Sequence, residues 1–268
     1  MPDKRAHRGP HPADAELFAP EALPRLREAL ADFSLLLTKG YADKSALKLV
    51  GDRFSLTQRQ RLAVMRSACS DQQLQSRLAR RVDIADIAGQ SLAIDGYNLL
   101  ITIEAALSGG LIFRGRDGCL RDLASIHGTY RKVEETVPAL TLIGKFLADI
   151  DVGLPRGEGV PPSNHRQACT ERSRSDARDT TTAEALWLLD SPVSNSGRLK
   201  TLIANLAREH DWNWEARLSL NPDAELRQTD QIVVTTDSVI LDTCPHWTNL
   251  ADAIITRSLA DTTIVDLA

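Results

Sequence analysis

The stretch Ser91-Leu92-Ala93-Ile94-Asp95-Gly96-Tyr97-Asn98 decides how the rest of the chain is read. A short apolar run breaks on an aspartate, a glycine and a polar turn, the pattern of a buried strand bounded by turn residues. Two other runs end the same way: Ala185-Leu186-Trp187-Leu188-Leu189-Asp190, and Ile232-Val233-Val234-Thr235-Thr236-Asp237. If these strands lie side by side and parallel, Asp95, Asp190 and Asp237 meet at one sheet edge, where open α/β sheets place their ligands. Clustered carboxylates repel one another, and a divalent cation among them relieves the repulsion. The pattern points to a Mg2+ or Mn2+ site acting on phosphate esters. Each aspartate also has a plainer use, because a strand-end Asp caps the turn that follows it.

Working outward, helices separate these strands. An apolar helix carrying Glu104 follows Asn98 and stops at Gly109-Gly110. Leu111 to Phe113, with the turn Arg114 to Gly118, reads as a small hairpin. Arg121 to Val133 and Val137 to Ile150 read as helices. Beyond Asp190 come a turn (191–197), a helix (198–208), strands over 214–220 and 231–235, a helix over 250–258 and a last strand over 263–266. Such alternation implies a doubly wound, mainly parallel sheet. Residues 152–182 break the order. They hold Pro155, Pro161, Pro162 and the polar run from His165 to Ser175, with no apolar period, and read as a disordered insertion.

The front of the chain differs. Residues 1–19 read as a disordered tail. From Pro20 to Ala88 the pattern is helical, with Leu23, Leu26, Leu30 and Phe33 at helical spacing. Ser55 with Gln58 reads as a capping box. It would open a helix burying Leu62, Met65 and Cys69; another helix covers 72–81. Residues 44–81 hold nine basic side chains against Asp52 and Asp71. That segment carries +7 in a chain of net charge −4, leaving −11 for the remainder. Arg59, Arg61, Arg66, Arg77, Arg80 and Arg81 are therefore candidates for contacting a nucleic-acid backbone. The alternative is a solvated helical face.

Further candidates surround the three aspartates. Asp122, at the start of an expected helix, is a fourth acid; Glu104, Asp117 and Asp242 are accessory acids. Asn98, Thr235 and Thr236 share the turns and orient carboxylates or contact phosphate. Ser194 and Ser196 precede an expected helix N-terminus, which favours anions or is simply capped by them. His127 reads as packed or exposed rather than catalytic. The 268 residues are 43% hydrophobic and 25% charged, enough for a full-sized core. Cys69, Cys119, Cys169 and Cys244 form no CxxC pair, which argues against zinc and against a disulfide framework. No apolar stretch reaches the roughly 18–20 residues of a membrane helix, and the N-terminus lacks the apolar core of a signal peptide. A cytoplasmic protein without membrane contact is expected. GxGxxG, GxxxxGK[ST], HExxH and GxSxG are all missing.

Ile94-Asp95-Gly96-Tyr97-Asn98 together with Val234-Thr235-Thr236-Asp237 resembles the PIN/NYN ribonuclease superfamily. Lys39-Gly40-Tyr41, Ser45-Ala46-Leu47 and Arg59-Gln60-Arg61-Leu62 resemble the family catalogued as domain of unknown function 434. Asp117-Gly118, Arg121-Asp122, Asp190 through Ser194 and Ser196-Gly197 resemble further motifs of that family. The resemblance spans nearly the whole chain outside 152–182. It implies a small all-helical module over 20–88, followed by a PIN-like α/β domain over 89–268 with a doubly wound, mainly parallel sheet. It also implies that Asp95 and Asp237, then Asp190 and Asp122, hold Mg2+ or Mn2+ in a nuclease acting on RNA. A homo-oligomer is compatible with this reading. The alternatives are a non-catalytic RNA-binding or assembly protein that keeps the fold, and a small-molecule phosphohydrolase. The long insertion before Asp190 departs from active relatives and leaves closure of the metal site open.

Overall fold

A computed structural model describes residues 7–124, 130–152 and 184–268. In chain order the helical part comprises α1 (Asp14–Leu17), α2 (Leu23–Thr38), α3 (Asp43–Arg53), α4 (Gln58–Ser67) and α5 (Asp71–Ala79). The remainder runs β1 (Leu92–Asp95), α6 (Gly96–Leu107), β2 (Ile112–Arg114), β3 (Leu120–Arg121), α7 (Thr136–Asp149), β4 (Ala185–Asp190) and α8 (Ser196–Glu209). It continues with β5 (Trp214–Ser219), α9 (Pro222–Leu226), β6 (Ile232–Val234), α10 (Ser238–Leu241), β7 (Trp247–Thr248), α11 (Leu250–Ser258) and β8 (Ile264–Asp266).

Five strands form a parallel sheet in the order β5-β4-β1-β6-β7. The chain steps outward from β1 to β4 and β5, then returns to the other side of β1 for β6 and β7. The reversal point lies between β1 and β6. Successive side chains of β1 alternate between the sheet faces. Leu92 and Ile94 join the core formed with α6, α7, α8 and α11, through Leu100, Leu140, Ile203 and Ile254. Ala93 faces the opposite cluster, where Leu188 and Val233 meet Leu226, Ile240, Leu241 and Trp247. Both faces of the sheet are covered, as a parallel sheet requires.

The last strand does not extend this sheet. β8 pairs parallel with β2, and β2 antiparallel with β3, forming a second sheet. Phe113 and Val265 of that sheet enter the core of the helical module with Leu26, Leu30, Phe33 and Val64. The module is thereby fused to the α/β part by apolar burial.

Several expectations shift. Residues 7–19 are packed rather than tail-like. Phe18 is buried in the module core, Asp14 accepts from Arg59 Nη2 at 2.8 Å, and Arg8 pairs with the buried Glu104. The capping boxes are Thr57 with Gln60 and Ser70 with Gln73; Ser55 instead takes a positive φ of 49° ahead of the helix. α4 buries Ala63, Val64 and Ser67, small residues that let it approach α2 closely, and Met65 is left 43% exposed. Residues 122–124 and 130–133 are not helical, because Arg121 is drawn into strand pairing opposite Phe113. His127 lies outside the described residues, as do residues 153–182 of the expected insertion; Val152, placed at its start, is buried in the main core instead. The chain leaves at Asp151, whose carbonyl accepts from Gly89 N, and re-enters at Glu184, whose carbonyl accepts from Leu92 N. Among the described residues no helix is long and apolar enough to cross a membrane.

Gly96 sits where β1 passes into α6. A Cβ there would lie 2.6 Å from Leu189 Cδ2 and 2.9 Å from the Leu188 carbonyl oxygen. Backbone cannot yield as a side chain can, so Gly96→Ala should cost about 1–3 kcal/mol of stability in urea unfolding. A change below about 0.5 kcal/mol, typical of surface substitutions, would show that the strand ends are not packed this tightly.

Candidate active site

The two strands flanking the reversal are joined by side chains. Thr235 Oγ1 donates to Asp95 Oδ2 at 2.8 Å and accepts from the Asp237 amide at 3.0 Å. The Thr236 amide and hydroxyl both donate to Asn98 Oδ1, at 2.8 and 2.9 Å. Asn98 lines the cleft with that oxygen committed, which leaves its NH2 group to donate. Asp95 and Asp237 also serve as caps: Asp95 Oδ1 accepts from the Asn98 amide at 3.4 Å. Asp237 Oδ1 accepts from the amides of Val239 and Ile240 at 2.8 and 3.3 Å. The capping role and a role in the site coexist.

These groups open onto a cleft of about 720 Å3. Asp95, Asp122, Asp190, Asp223 and Asp237 line it from the α/β side; Phe33, Leu37, Met65, Arg66 and Arg77 line it from the helical module. Burial pushes the Asp95 carboxyl up to about 7, and the charges of Asp237 and Asp223 add to the shift. Burial raises Asp190 too, with Asp223 contributing. Asp223 is itself raised by burial and by Asp237. Four acids are thus linked at one sheet edge, Asp190 through Asp223 and the other three directly. Asp223 is the member that sequence reading missed. It follows β5 only after Leu220-Asn221-Pro222, so no acid terminates the apolar run itself; the Asn-Pro turn was the available signal.

Asp122 lines the same cleft under different conditions. It accepts from Thr102 Oγ1 at 2.9 Å and the Ala124 amide at 2.6 Å, and Arg66 lies 3.5 Å away. Among the described residues, no group of three or more His, Cys, Asp or Glu side chains is gathered closely enough to hold a metal ion.

Other candidates lie elsewhere. Glu104 is fully buried under Tyr130 and Thr136, whose hydroxyls donate to it at 2.6 Å each, and pairs with Arg8. Asp117 is enclosed by Arg77 and Arg121; burial alone would raise its carboxyl, but the two guanidiniums, Arg121 foremost, hold it down at about 2. Asp242 accepts from Arg77 and Gln73, both at 2.7 Å. Ser196 is buried and bonded to Tyr97 at 2.5 Å and to the Val193 carbonyl at 2.6 Å; Ser194 is exposed. Neither serine caps α8, whose N-cap is a left-handed Asn195. Cys69, Cys119 and Cys244 are buried free thiols.

The basic module spends most of its charge internally. Arg59 pairs with Asp14 and Arg61 with Asp52. Arg66 donates to the carbonyls of Asp122 and Ala124 at 2.6 and 2.9 Å. Arg77 is 1% exposed. Arg80 binds the carbonyls of Cys244 and Leu241, and Arg81 lies 5.8 Å over the Trp247 ring. Arg66 and Arg77 therefore reach the site as cleft wall, whereas Arg59 and Arg61 do not line it.

Two family descriptions match this chain. The one described as Domain of unknown function (DUF5616) matches residues 84–154 and 167–253. The chain belongs to that family. The one described as Protein of unknown function (DUF434) matches residues 25–80, the helical module. An uncharacterised protein of Methanocaldococcus jannaschii is 26% identical over 216 residues, covering 81% of this chain and 88% of its own length. No solved structure matches. The DUF5616 match contains all five cleft aspartates named above and breaks only over 155–166.

The raised carboxyls fix a pH dependence. Asp95 titrates near 7 in the folded protein and near ~3.9 in an unfolded chain. Folding therefore takes up a proton between those values. The stability from the protonated carboxyl is complete below pH ~4 and is lost as pH rises through about 7. Asp190 and Asp223 act in the same direction, while Asp117 acts only in strong acid. Urea unfolding without divalent ions should show falling stability from pH 5 to 8, and Asp95→Asn should flatten that fall. Parallel profiles for the two proteins would refute the assignment.

Proposed function

We propose that the cleft at the β1–β6 reversal hydrolyses phosphodiester bonds in RNA with a bound Mg2+ or Mn2+, as the resemblance to PIN/NYN ribonucleases implies. The observation that carries this reading is the set of acids Asp95, Asp190, Asp223 and Asp237 lining one cleft at the edge of a parallel sheet, with Asp223 and Asp237 raising Asp95, Asp237 raising Asp223 and Asp223 raising Asp190. The donor set is hard oxygen, which suits these cations. Its repulsion is the kind that a divalent ion relieves. Asp95, Asp190, Asp223 and Asp237 would hold the ion, with Asp223 taking the place first given to Asp122. No three of these carboxylates are close enough for an ion as they stand, so binding would draw them together. When bound, the ion supplies an acidified water and stabilises charge on the leaving oxygen.

The chain's own groups do the rest. Thr235 and Asn98 fix Asp95 and the turn that carries Asp237. Asp95 must shed its proton before it can ligate, which makes cation affinity rise through about pH 7. Arg66, Arg77 and Arg121 line the cleft with the acids; Arg77 and Arg121 are matched by Asp117, which leaves Arg66, held by the carbonyls of Asp122 and Ala124, to bring positive charge to a phosphate. A non-catalytic RNA-binding or assembly role is the second reading. It is favoured by the lack of a ready-made metal group among the described residues and by the internal pairing of most arginines.

The deciding experiment combines thermal melting with and without Mn2+ and cleavage of a mixed-sequence RNA pool. The expected result is metal-dependent cleavage, with stabilisation of about 2.7 kcal/mol at a hundredfold excess of ion over its Kd. Asp95→Asn, Asp223→Asn and Asp237→Asn should each lower cleavage at least about a hundredfold, the scale of losing one transition-state interaction. A wild type that shows neither cleavage nor a Mn2+ shift would overturn the nuclease reading in favour of the scaffold.

A further inference from the structure

Asp117, Arg77 and Arg121 form a buried cluster behind the cleft, 3%, 1% and 6% exposed. Asp117 Oδ2 accepts from Arg77 Nη1 at 2.6 Å and from Arg121 Nη2 at 2.7 Å, and Oδ1 accepts from Arg121 Nη1 at 2.9 Å. Each arginine has a further donor aimed at the same turn. Arg121 Nε donates to the Thr236 carbonyl at 2.7 Å, and Arg77 Nη2 to the Ser238 carbonyl at 3.3 Å. Those two carbonyls flank Asp237.

We infer that this cluster is a positioning unit for the Asp237 turn, through which the helical module acts on the site. The argument is peptide geometry. In a trans peptide the C=O and the following N–H point in opposite directions. Holding the Thr236 carbonyl with Arg121 therefore turns the Asp237 amide the other way, where it meets Thr235 Oγ1 at 3.0 Å. That hydroxyl is then an acceptor on one side and keeps its hydrogen for Asp95 Oδ2, at 2.8 Å. The next link repeats the device. With the Ser238 carbonyl on Arg77, the Val239 amide points to Asp237 Oδ1 at 2.8 Å. Two peptide planes, each held from behind by an arginine, orient Asp95 and Asp237 in front. Planar guanidinium suits this task because it donates along several fixed directions at once, which an ammonium cannot do. Arg77 comes from α5 and Asp117 from the β2–β3 turn, so the unit straddles the segments matched by the two families.

The consequence for the site rests on the reading of Asp237 as an ion-holding acid; the positioning itself does not. The test uses the full chain carrying Arg121→Lys or, separately, Arg77→Lys. Each keeps a cation near Asp117 and removes a carbonyl clamp. Amide hydrogen exchange should be at least about tenfold faster at Asp237 in Arg121→Lys and at Val239 in Arg77→Lys, with Ile94 in β1 unchanged. Mn2+ affinity, measured by titration calorimetry, should fall at least about tenfold in Arg121→Lys. If one variant does not fold, the other carries the test. Should neither fold, Asp117→Asn, which leaves one oxygen to accept and sets an NH2 against a guanidinium donor, should speed exchange at both amides. Wild-type exchange at both amides in the folded variants would overturn the proposal; faster exchange with Mn2+ affinity unchanged from a wild type that binds the ion would overturn the action on the site. Faster exchange in a protein whose wild type binds no Mn2+ would uphold the positioning and remove only the ion reading.

Discussion

Strand β1 is hemmed in on every side, and the rest of the architecture follows from that. It has β4 on one edge and β6 on the other, with a packed cluster against each face. A charged residue at its end cannot turn away into solvent. Asp95 is met by the Thr235 hydroxyl from the neighbouring strand end and by the Asn98 amide in the first turn of α6. The same enclosure forces its carboxyl toward the neutral form and brings Asp190, Asp223 and Asp237 within electrostatic reach. A surface aspartate could be replaced with little effect; this one is pushed toward its neutral form by burial and by the charges of Asp237 and Asp223.

Much of this was legible because strands and their ends are local features. The runs ending at Asp95 and Asp190, the turn at Thr235-Thr236-Asp237 and the helix over Leu250–Ser258 need only a few residues to declare themselves. What failed was non-local. β8 was assigned to the main sheet, because a strand pattern does not reveal its partner. Asp223 was overlooked because a turn, rather than an apolar run, delivers it. The arginines of the helical module were counted as outward charge, although Asp14 answers Arg59, and Asp117 and Asp242 answer Arg77. Those acids lie 45, 40 and 165 residues away, so a window over 44–81 sees only the surplus. Capping was misplaced by two residues for a local reason: both Ser55 and Thr57 precede a glutamine at the right spacing, and only Thr57 has the extended backbone a cap requires.

The helical module thus has a structural meaning that its composition conceals. It buries Phe113 and Val265 in its own core, supplies one wall of the cleft and sends Arg77 into the α/β part. Charge that would be costly to bury alone is tolerable there because Arg77 meets Asp117, Asp242 and the Ser238 carbonyl. The two segments recognised by separate family descriptions share a packed core and a buried ion pair here, with no linker of independent polar sequence between them.

The points where the chain leaves and rejoins the described body, Asp151 and Glu184, have their own consequence. Their carbonyls bond the Gly89 and Leu92 amides at the entry to β1, whereas Asp95 and Asp190 stand at the exits of β1 and β4. A six-residue strand such as β4 separates its ends by roughly 20 Å. Extra chain between Asp151 and Glu184 is therefore attached on the side of the sheet away from the acids. Loop closure grows costlier only slowly with length, so this junction can absorb additions at little expense to the edge that carries the acids. A fluorophore or an affinity handle fixed at Asp151 or Glu184 is therefore tethered at the strand entries rather than beside the cleft acids.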